Sequence, residues 1–280
     1  MNFVAFETST ETVSVGLHAN GVLTAESVND AGVRSGELAL PIMHGLLRDA
    51  GLRVADIDMV VFGQGPGAFT GVRVACAVSQ GLAVGLGKRI IALPSHVALA
   101  ETAAPDVTQV LVACDARMGE VYWSLWERVA GDADSRHASS ITTAAGWQVT
   151  TAAGWCMQVA PRLSRPEAVA SQLEDLIADG KIEGVGSAFA IPALGDPISN
   201  AITALRGRAL DATRAAQPEA AALLAVAVRA YGAIGEAATC TPENAMPLYV
   251  RDKVALTIAE RAAERATQLA TAALAIAETR

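Results

Sequence analysis

A strand, a polar turn and a second strand occur twice in this chain, 108 residues apart, and that recurrence limits the folds open to it. In the first copy FVAF (Phe3 to Phe6) is apolar, ETSTE is polar, and TVSVGLH alternates as a half-buried strand does. The second copy, VLVACDARMGEVYWSLW (Val110 to Trp126), repeats the order around an acidic turn. Aligned, Val4, Ala5, Glu7 and Val13 fall on Val112, Ala113, Asp115 and Val121, so a carboxylate closes the leading strand in both. A duplicated α/β architecture is expected, and 280 residues are enough for two domains of ordinary size.

Between the copies the pattern is regular. Asn20-Gly21 signals a hairpin. Gly36 to Gly51 has helical spacing, Asp58 to Gly63 is a buried strand, and a helix is expected from about Thr70 to Gly85. Ile90 to Ser95 is a strand leading into the helical run HVALAETAA. After the second copy come a helix from Arg165 to Gly180 with Pro166 in its first turn, a strand in KIEGVGSA, and a strong helix from Pro218 to Gly235. Residues 129–160 contain a tandem octamer, TTAAGWQV then TTAAGWCM (Thr142 to Met157). Two eight-residue units cannot build a solenoid, so a surface loop or hairpin is expected. The Ala-rich tail from Val254 to Arg280 reads as a helix.

Charge and cysteine usage narrow the function classes. A net charge of -8 without any Lys/Arg run gives no footprint for gripping nucleic acid directly, so any RNA would be reached through a partner. Cys76, Cys114, Cys156 and Cys240 form no CxxC pair and read as free thiols in a reducing compartment. The start MNFVAFETST lacks a signal-peptide pattern, and the apolar stretch Val72 to Gly87 is interrupted by Arg73 and Gln80 and reads as too short for a membrane span. The expectation is a cytoplasmic protein without membrane association.

The stretch GQGPGAFTGVR, with Gly63, Gly65, Pro66, Gly67, Phe69, Thr70, Gly71 and Arg73, invites a phosphate-binding reading, because a helix amino end favours anions. It fits neither GxxxxGK[ST] nor GxGxxG, since Ala68 and Thr70 stand where a third glycine would be needed. No GxSxG is present. His18, His44, His96 and His137 form no HxxxH or HExxH and read as surface or satisfied histidines, so no metal site is expected. Gly71, Ala75 and Ser79 on one stripe of the following helix, and Ala77, Gly81 and Gly85 on another, suit close packing. Glu7 and Asp115 could hold magnesium between two domains, or be turn residues; phosphate cradle and packing turn both stay open from the residues alone.

GQGPGAFTGVRVACAVSQGLAVGLG, CDARMGEVYWSLW and PLYVRDKVA together resemble the signatures of the TsaB (YeaZ) family. The resemblance implies an actin-like ATPase (ASKHA) fold of two ribonuclease-H-like halves, 1–105 and 106–215, with an insertion near 129–160 and C-terminal helices in 216–280. It implies a non-catalytic subunit needed for threonylcarbamoyl transfer to adenosine 37 of tRNAs reading ANN codons, which dimerises with the catalytic subunit TsaD and recruits the ATPase TsaE. The absence of HxxxH is similar to TsaB and unlike TsaD. The implied partner surface is the helix pair of the first half, with Leu38, Ile42, Leu46, Gly71, Val74, Ala75, Val78, Gly81 and Leu82, and the same helices would form a homodimer when the chain is alone. Glu7, Thr8, Ser9, Asp115 and Arg117 would form a degenerate nucleotide or metal site; no cofactor is implied, with a nucleotide at the heterodimer boundary left open. The family usually has Asp where this chain has Glu7, and often has His in the loop that reads VRSGEL here. An ATP-dependent small-molecule kinase of the same fold is the alternative, and a peptidase a third reading without a nucleophile-base set.

Overall fold

Strand β1 (Phe3–Glu7) is buried on both faces, with Phe3 and Ala5 facing one core and Val4 and Phe6 another. This two-sided alternation recurs in β4 (Met59–Gly63) and β6 (Gln109–Asp115), which makes all three central strands. In this computed structural model residues 1–29, 35–129, 140–142, 148–150, 154–177, 181–204, 209–214 and 216–251 are described. Met1–Val250 forms one compact unit.

The first sheet has the order β3-β2-β1-β4-β5, where β2 is Thr12–Ala19, β3 is Val22–Asn29 and β5 is Ile90–Leu93. β1, β2 and β3 run antiparallel in register, while β1–β4 and β4–β5 are parallel. The parallel pairs are crossed by helices α1 (Ser35–Asp49) and α2 (Phe69–Leu86), and α3 (Ser95–Glu101) follows β5. The second sheet includes β7 (Val121–Arg128). After a separate hairpin of β8 (Ser140–Thr142) and β9 (Gln148–Thr150), the chain continues into β10 (Trp155–Ser164), α4 (Pro166–Leu176), β11 (Ile182–Val185), α5 (Pro192–Ala204) and β12 (Ala209–Arg214). Its order, β10-β7-β6-β11-β12, repeats the first sheet strand for strand, antiparallel and parallel pairs included. Each half is a ribonuclease-H-like unit; the duplication expected from the repeated strands is present, and the whole is the actin-like ATPase fold that the family resemblance implies.

Five layers result. α1 and α2 cover the outer face of the first sheet around Phe6, Val15, Met43, Leu47 and Phe62. α4 and α5 cover the outer face of the second around Trp123, Leu173 and Ile198. Between the sheets lie α3 and α6 (Ala220–Ile234), sharing one core that runs from Phe3 and Val61 to Val112, Trp126 and Trp155. α6 presents Ala220, Ala227 and Ala230 beside its leucines, so it approaches closely; a Cβ at Gly16 of β2 would collide with Leu224. Its first turn is tied down from far away in sequence, since the Ala220 N–H donates to Ser14 Oγ at 2.9 Å.

The structure corrects several sequence expectations. α2 has 18 residues, enough by length and composition for a membrane span, as does Ala220–Ala238; what occupies them is sheet packing, with Gly71, Ala75, Ser79 and Ala83 of α2 buried. β3 spans eight residues beyond the hairpin signal, and α5 and β12 carry no pattern singled out above. The second octamer does not lie wholly in a surface loop. Trp155 is fully buried at the start of β10, with its Nε1–H donating to Glu101 Oε2 at 2.8 Å and Arg128 stacked over its ring. His137 and the tail from Val254 lie outside the described residues.

His96 is neither a surface nor a satisfied histidine. Its Nδ1 lies 2.7 Å from Ser124 Oγ, which also accepts the Trp126 Nε1–H at 2.7 Å, and its buried Nε2 has no partner among the described residues. Ser124 Oγ thus bridges the Trp126 indole and the His96 imidazole inside the core. Burial pushes the pKa of His96 down to about 3. A folded-state pKa below the unfolded value means the unfolded chain takes up the proton first. The stability present above about pH 6.5 is therefore lost as pH falls toward 3, at about 1.4 kcal/mol per unit from this group. Denaturant unfolding at pH 7.5, 6 and 5 should show this slope, and His96→Gln should remove it.

Candidate functional site

The glycine loop is shaped by the turn that follows β1. A Cβ at Gly63 would land on the Glu7 carboxylate, one at Gly67 on the Ser9 carbonyl, and one at Gly71 on the Thr8 carbonyl. Three glycines therefore hold the space that residues 7–9 fill. Gly65 adds a left-handed φ of 89° ahead of Pro66. Hydrogen bonds fix the contact: Ala68 N–H donates to Ser9 O at 2.7 Å, Thr8 Oγ1–H to Gly71 O at 2.7 Å, and Ser95 N–H to Gly65 O at 2.8 Å. Ser95, at the start of α3, also accepts the Gly65 N–H on its Oγ at 3.0 Å. The amino end of α2 is thus bonded to the chain's own backbone at Ala68, while Phe69 and Thr70 are exposed.

Glu7 is fully buried and both its oxygens are engaged, Oε1 by the Ser9 N–H at 2.7 Å and Oε2 by the Ser95 Oγ–H at 2.6 Å. Burial raises its pKa, and the hydrogen bonds offset this only in part. Asp115 ends β6 at the equivalent place in the second half and turns outward instead. It accepts the Arg117 N–H at 2.7 Å and the Arg117 Nη1 at 3.1 Å, and its own N–H donates to Ser187 Oγ. Arg117 reaches across to Glu11 at 2.5 Å, so the turns of the two halves meet through an ion pair. Both partners are largely exposed, which limits that pair to about 0–1 kcal/mol. Arg117 and Met118 have φ of 66° and 58°, a strained turn for side-chain-bearing residues. Beneath them Cys114 is pushed up to about 11, chiefly by burial, with Glu7 and Asp115 adding to it. Ser9 Oγ is buried beside the Glu7 carboxylate and makes no well-formed hydrogen bond among the described residues. Among the described residues no group of three His, Cys, Asp or Glu side chains could hold a metal.

The helix pair offers a surface different from the one expected. Ile42, Gly71 and Ala75 are turned into the chain's own interior, because α1 and α2 use those positions to pack on the first sheet. Leu38, Leu46, Val74, Val78 and Leu82 are half-buried, and Gly81 is exposed. Leu40, Pro41 and His44 of α1 and Ala77, Val84 and Gly85 of α2 complete the exposed face. The reason is rotational: on α2 the stripe of Gly71, Ala75 and Ser79 meets the sheet, and the stripe of Ala77, Gly81 and Gly85 faces outward. Small residues alone do not tell the two stripes apart.

The segment 239–249 belongs to the stretch 216–280, for which C-terminal helices packing on the first half are expected; it is largely non-helical and ends in the first three residues of PLYVRDKVA. It runs along one flank of α2. Gln80 Nε2 donates to the carbonyls of Pro242 and Ala245, both at 2.9 Å, Cys76 Sγ–H donates to Ala245 O at 3.2 Å, and Gln64 is bonded to Met246 and Leu248. At its end the Tyr249 hydroxyl accepts from Arg73 Nε at 2.9 Å. The polar residues that interrupt the apolar helix pattern were the available signal for this strap.

Two substitutions test this packing. Gly71→Ala should cost about 3 kcal/mol in chemical denaturation because the Thr8 backbone cannot retreat, while Gly81→Ala, with open space around it, should gain about 0.5–1 kcal/mol. Glu7→Gln probes the buried carboxyl. A folded pKa raised above 4.5 means its stabilising share is full at low pH and lost as pH rises through the folded value. The melting temperature of the Gln variant relative to the wild type should therefore climb between pH 4.5 and pH 8.

Comparison with known proteins accords with this geometry. The family model TsaD, described as tRNA N6-adenosine threonylcarbamoyltransferase, matches residues 30–274. The tRNA threonylcarbamoyladenosine biosynthesis protein TsaB of Escherichia coli (strain K12) is 29% identical over 257 residues, covering 91% of this chain and 96% of that one. The TsaB of Haemophilus influenzae is 37% identical over 137 residues, 47% of this chain and 57% of that one. The solved structure of YeaZ from Pseudomonas aeruginosa superposes with a TM-score of 0.66 at 26% identity, covering 89% of this chain and 99% of that one. The chain belongs to the TsaD family and, within it, to the TsaB (YeaZ) proteins of tRNA threonylcarbamoyladenosine biosynthesis.

Proposed function

We propose that this chain acts as a non-catalytic subunit in threonylcarbamoyl transfer to adenosine 37 of tRNA, by dimerising with TsaD through α1 and α2 and recruiting TsaE. The observation that carries the reading is the outward stripe of α2. Ala77, Gly81 and Gly85 leave the helix backbone open, with half-buried Val74, Val78 and Leu82 and exposed Val84 beside them. A partner helix can approach such a stripe near the lower end of the usual ~8–10 Å separation. The same face would pair two copies of the chain when the partner is absent. The net charge of -8 supports tRNA contact through the partner, and the lack of a basic run supports it further. We place the protein in the cytoplasm.

The kinase alternative needs Glu7 and Asp115 to share a magnesium ion. The inward, doubly engaged Glu7 and the Arg117-paired Asp115 weigh against it.

The deciding experiment is co-purification from the native host with quantification of the modified nucleoside. Gly81→Leu should fold, lower recovery of the TsaD subunit at least about tenfold, and reduce threonylcarbamoyladenosine in total tRNA. Unchanged recovery with the variant overturns this interface. ATP turnover by the isolated chain would bring the kinase reading forward.

A further inference from the structure

We propose that Arg73, held between Phe69 and Tyr249, is the anchor for a carboxylate side chain of the protein that docks on α1 and α2. The proposal rests on the reading of that helix face given above and names the chemistry at its amino end.

Phe69, Met246 and Tyr249 are each about half exposed, at 48%, 52% and 48%; the Phe69 and Tyr249 rings lie 6.5 Å apart where the strap that carries Met246 and Tyr249 ends beside the start of α2. The Arg73 guanidinium carbon lies 3.2 Å from the Phe69 ring centroid and 5.2 Å from that of Tyr249. Its Nε–H is spent on the Tyr249 hydroxyl, which fixes the plane of the group. The two terminal nitrogens have no partner among the described residues. A stacked guanidinium is weakly hydrated, and its free edge is the planar fork that matches a carboxylate.

The patch is also rigid before anything binds. Gln64 holds Met246 by its side chain and Leu248 by its carbonyl, and Gln80 and Cys76 hold the strap just upstream. These bonds hold the backbone of the strap, so little backbone freedom remains to be lost there on association. Arginine, tyrosine, phenylalanine and methionine are the residue types enriched in the centres of protein interfaces. Acidic groups outnumber basic ones on this chain, 29 to 21, so an acidic partner segment is repelled on average and drawn to Arg73, whose terminal nitrogens have no partner among the described residues.

The test uses the full chain and the TsaD subunit of the same host, with binding measured by calorimetry and thermal melts as a folding control. Arg73→Lys keeps the charge but loses the fork and the stacking, and should weaken binding at least about tenfold. Arg73→Glu should abolish binding, and one Asp→Arg or Glu→Arg variant of the partner should restore it. If both Arg73 variants bind within about twofold of wild type while Gly81→Leu does not, the anchor is refuted and the helix face stands. If Gly81→Leu also binds normally, both readings fall. Arg73-dependent binding of inorganic triphosphate to the isolated chain, in competition with the partner, would make the occupant a phosphate and overturn the carboxylate.

Discussion

The rest of this structure depends on the absence of side chains along one short seam. Residues 7–9 leave β1 and lie against Gly63, Gly67 and Gly71, where a single methyl group would strike the Glu7 carboxylate, the Ser9 carbonyl and the Thr8 carbonyl in turn. The seam fixes where α2 starts, because Ala68 bonds to Ser9 and Gly71 to Thr8, and where α3 starts, because Ser95 bonds to both Gly65 and Glu7. Glycine-rich loops before helices are commonly read as phosphate cradles, where the missing side chain admits a ligand. Here the missing side chains admit the chain's own turn. Space that would otherwise be open to an anion is lined by the Ser9 and Thr8 carbonyls, which repel one.

The second organising feature is the single core that joins the two halves. Phe3, Ala5, Met59 and Val61 turn inward from the first sheet, and Val110, Val112, Cys114 and Trp126 from the second, onto α3 and α6. Burying both faces of both sheets needs little polar surface between them, and the few polar groups there are placed with care. Ser14 serves the Ala220 N–H and Ser27, Ser124 serves Trp126 and His96, and Glu101 serves Trp155 and Arg229. His96 Nε2 is an exception among the described residues, and it makes this core sensitive to acid.

What could be read from the sequence followed from periodicity and duplication. The leading strands of both halves were legible because they are central and buried on both faces, giving unbroken apolar runs. α1, α2, α4 and α6 were legible to within a few residues from spacing, Pro166 and glycine stops. α5 was not, because Pro197 and Gly195 lie inside it and tertiary packing on the second sheet overrides their poor propensity. Trp155 was missed because an octamer repeat carries no sign of which copy enters the core; only the pairing of β10 with β7 decides it. At the candidate site, residue types were easier to find than their directions. Glu7 and Asp115 align in sequence, yet one points into the protein and the other onto Arg117.

α2 shows how one helix can serve several neighbours without ambiguity. Its composition, mostly small and apolar, would leave it free to rotate if packing on the sheet were all that held it. Cys76 and Gln80 prevent this, since each spends a donor on the carbonyls of Pro242 or Ala245, and Arg73 does so at Tyr249. These contacts bind only one flank and only in one rotation. The remaining flank is then left with the exposed Ala77, Gly81 and Gly85, a stripe with no side chain larger than a methyl group. The polar interruptions that keep the sequence from reading as a continuous apolar segment are thus the same residues that set which face of α2 stays uncovered.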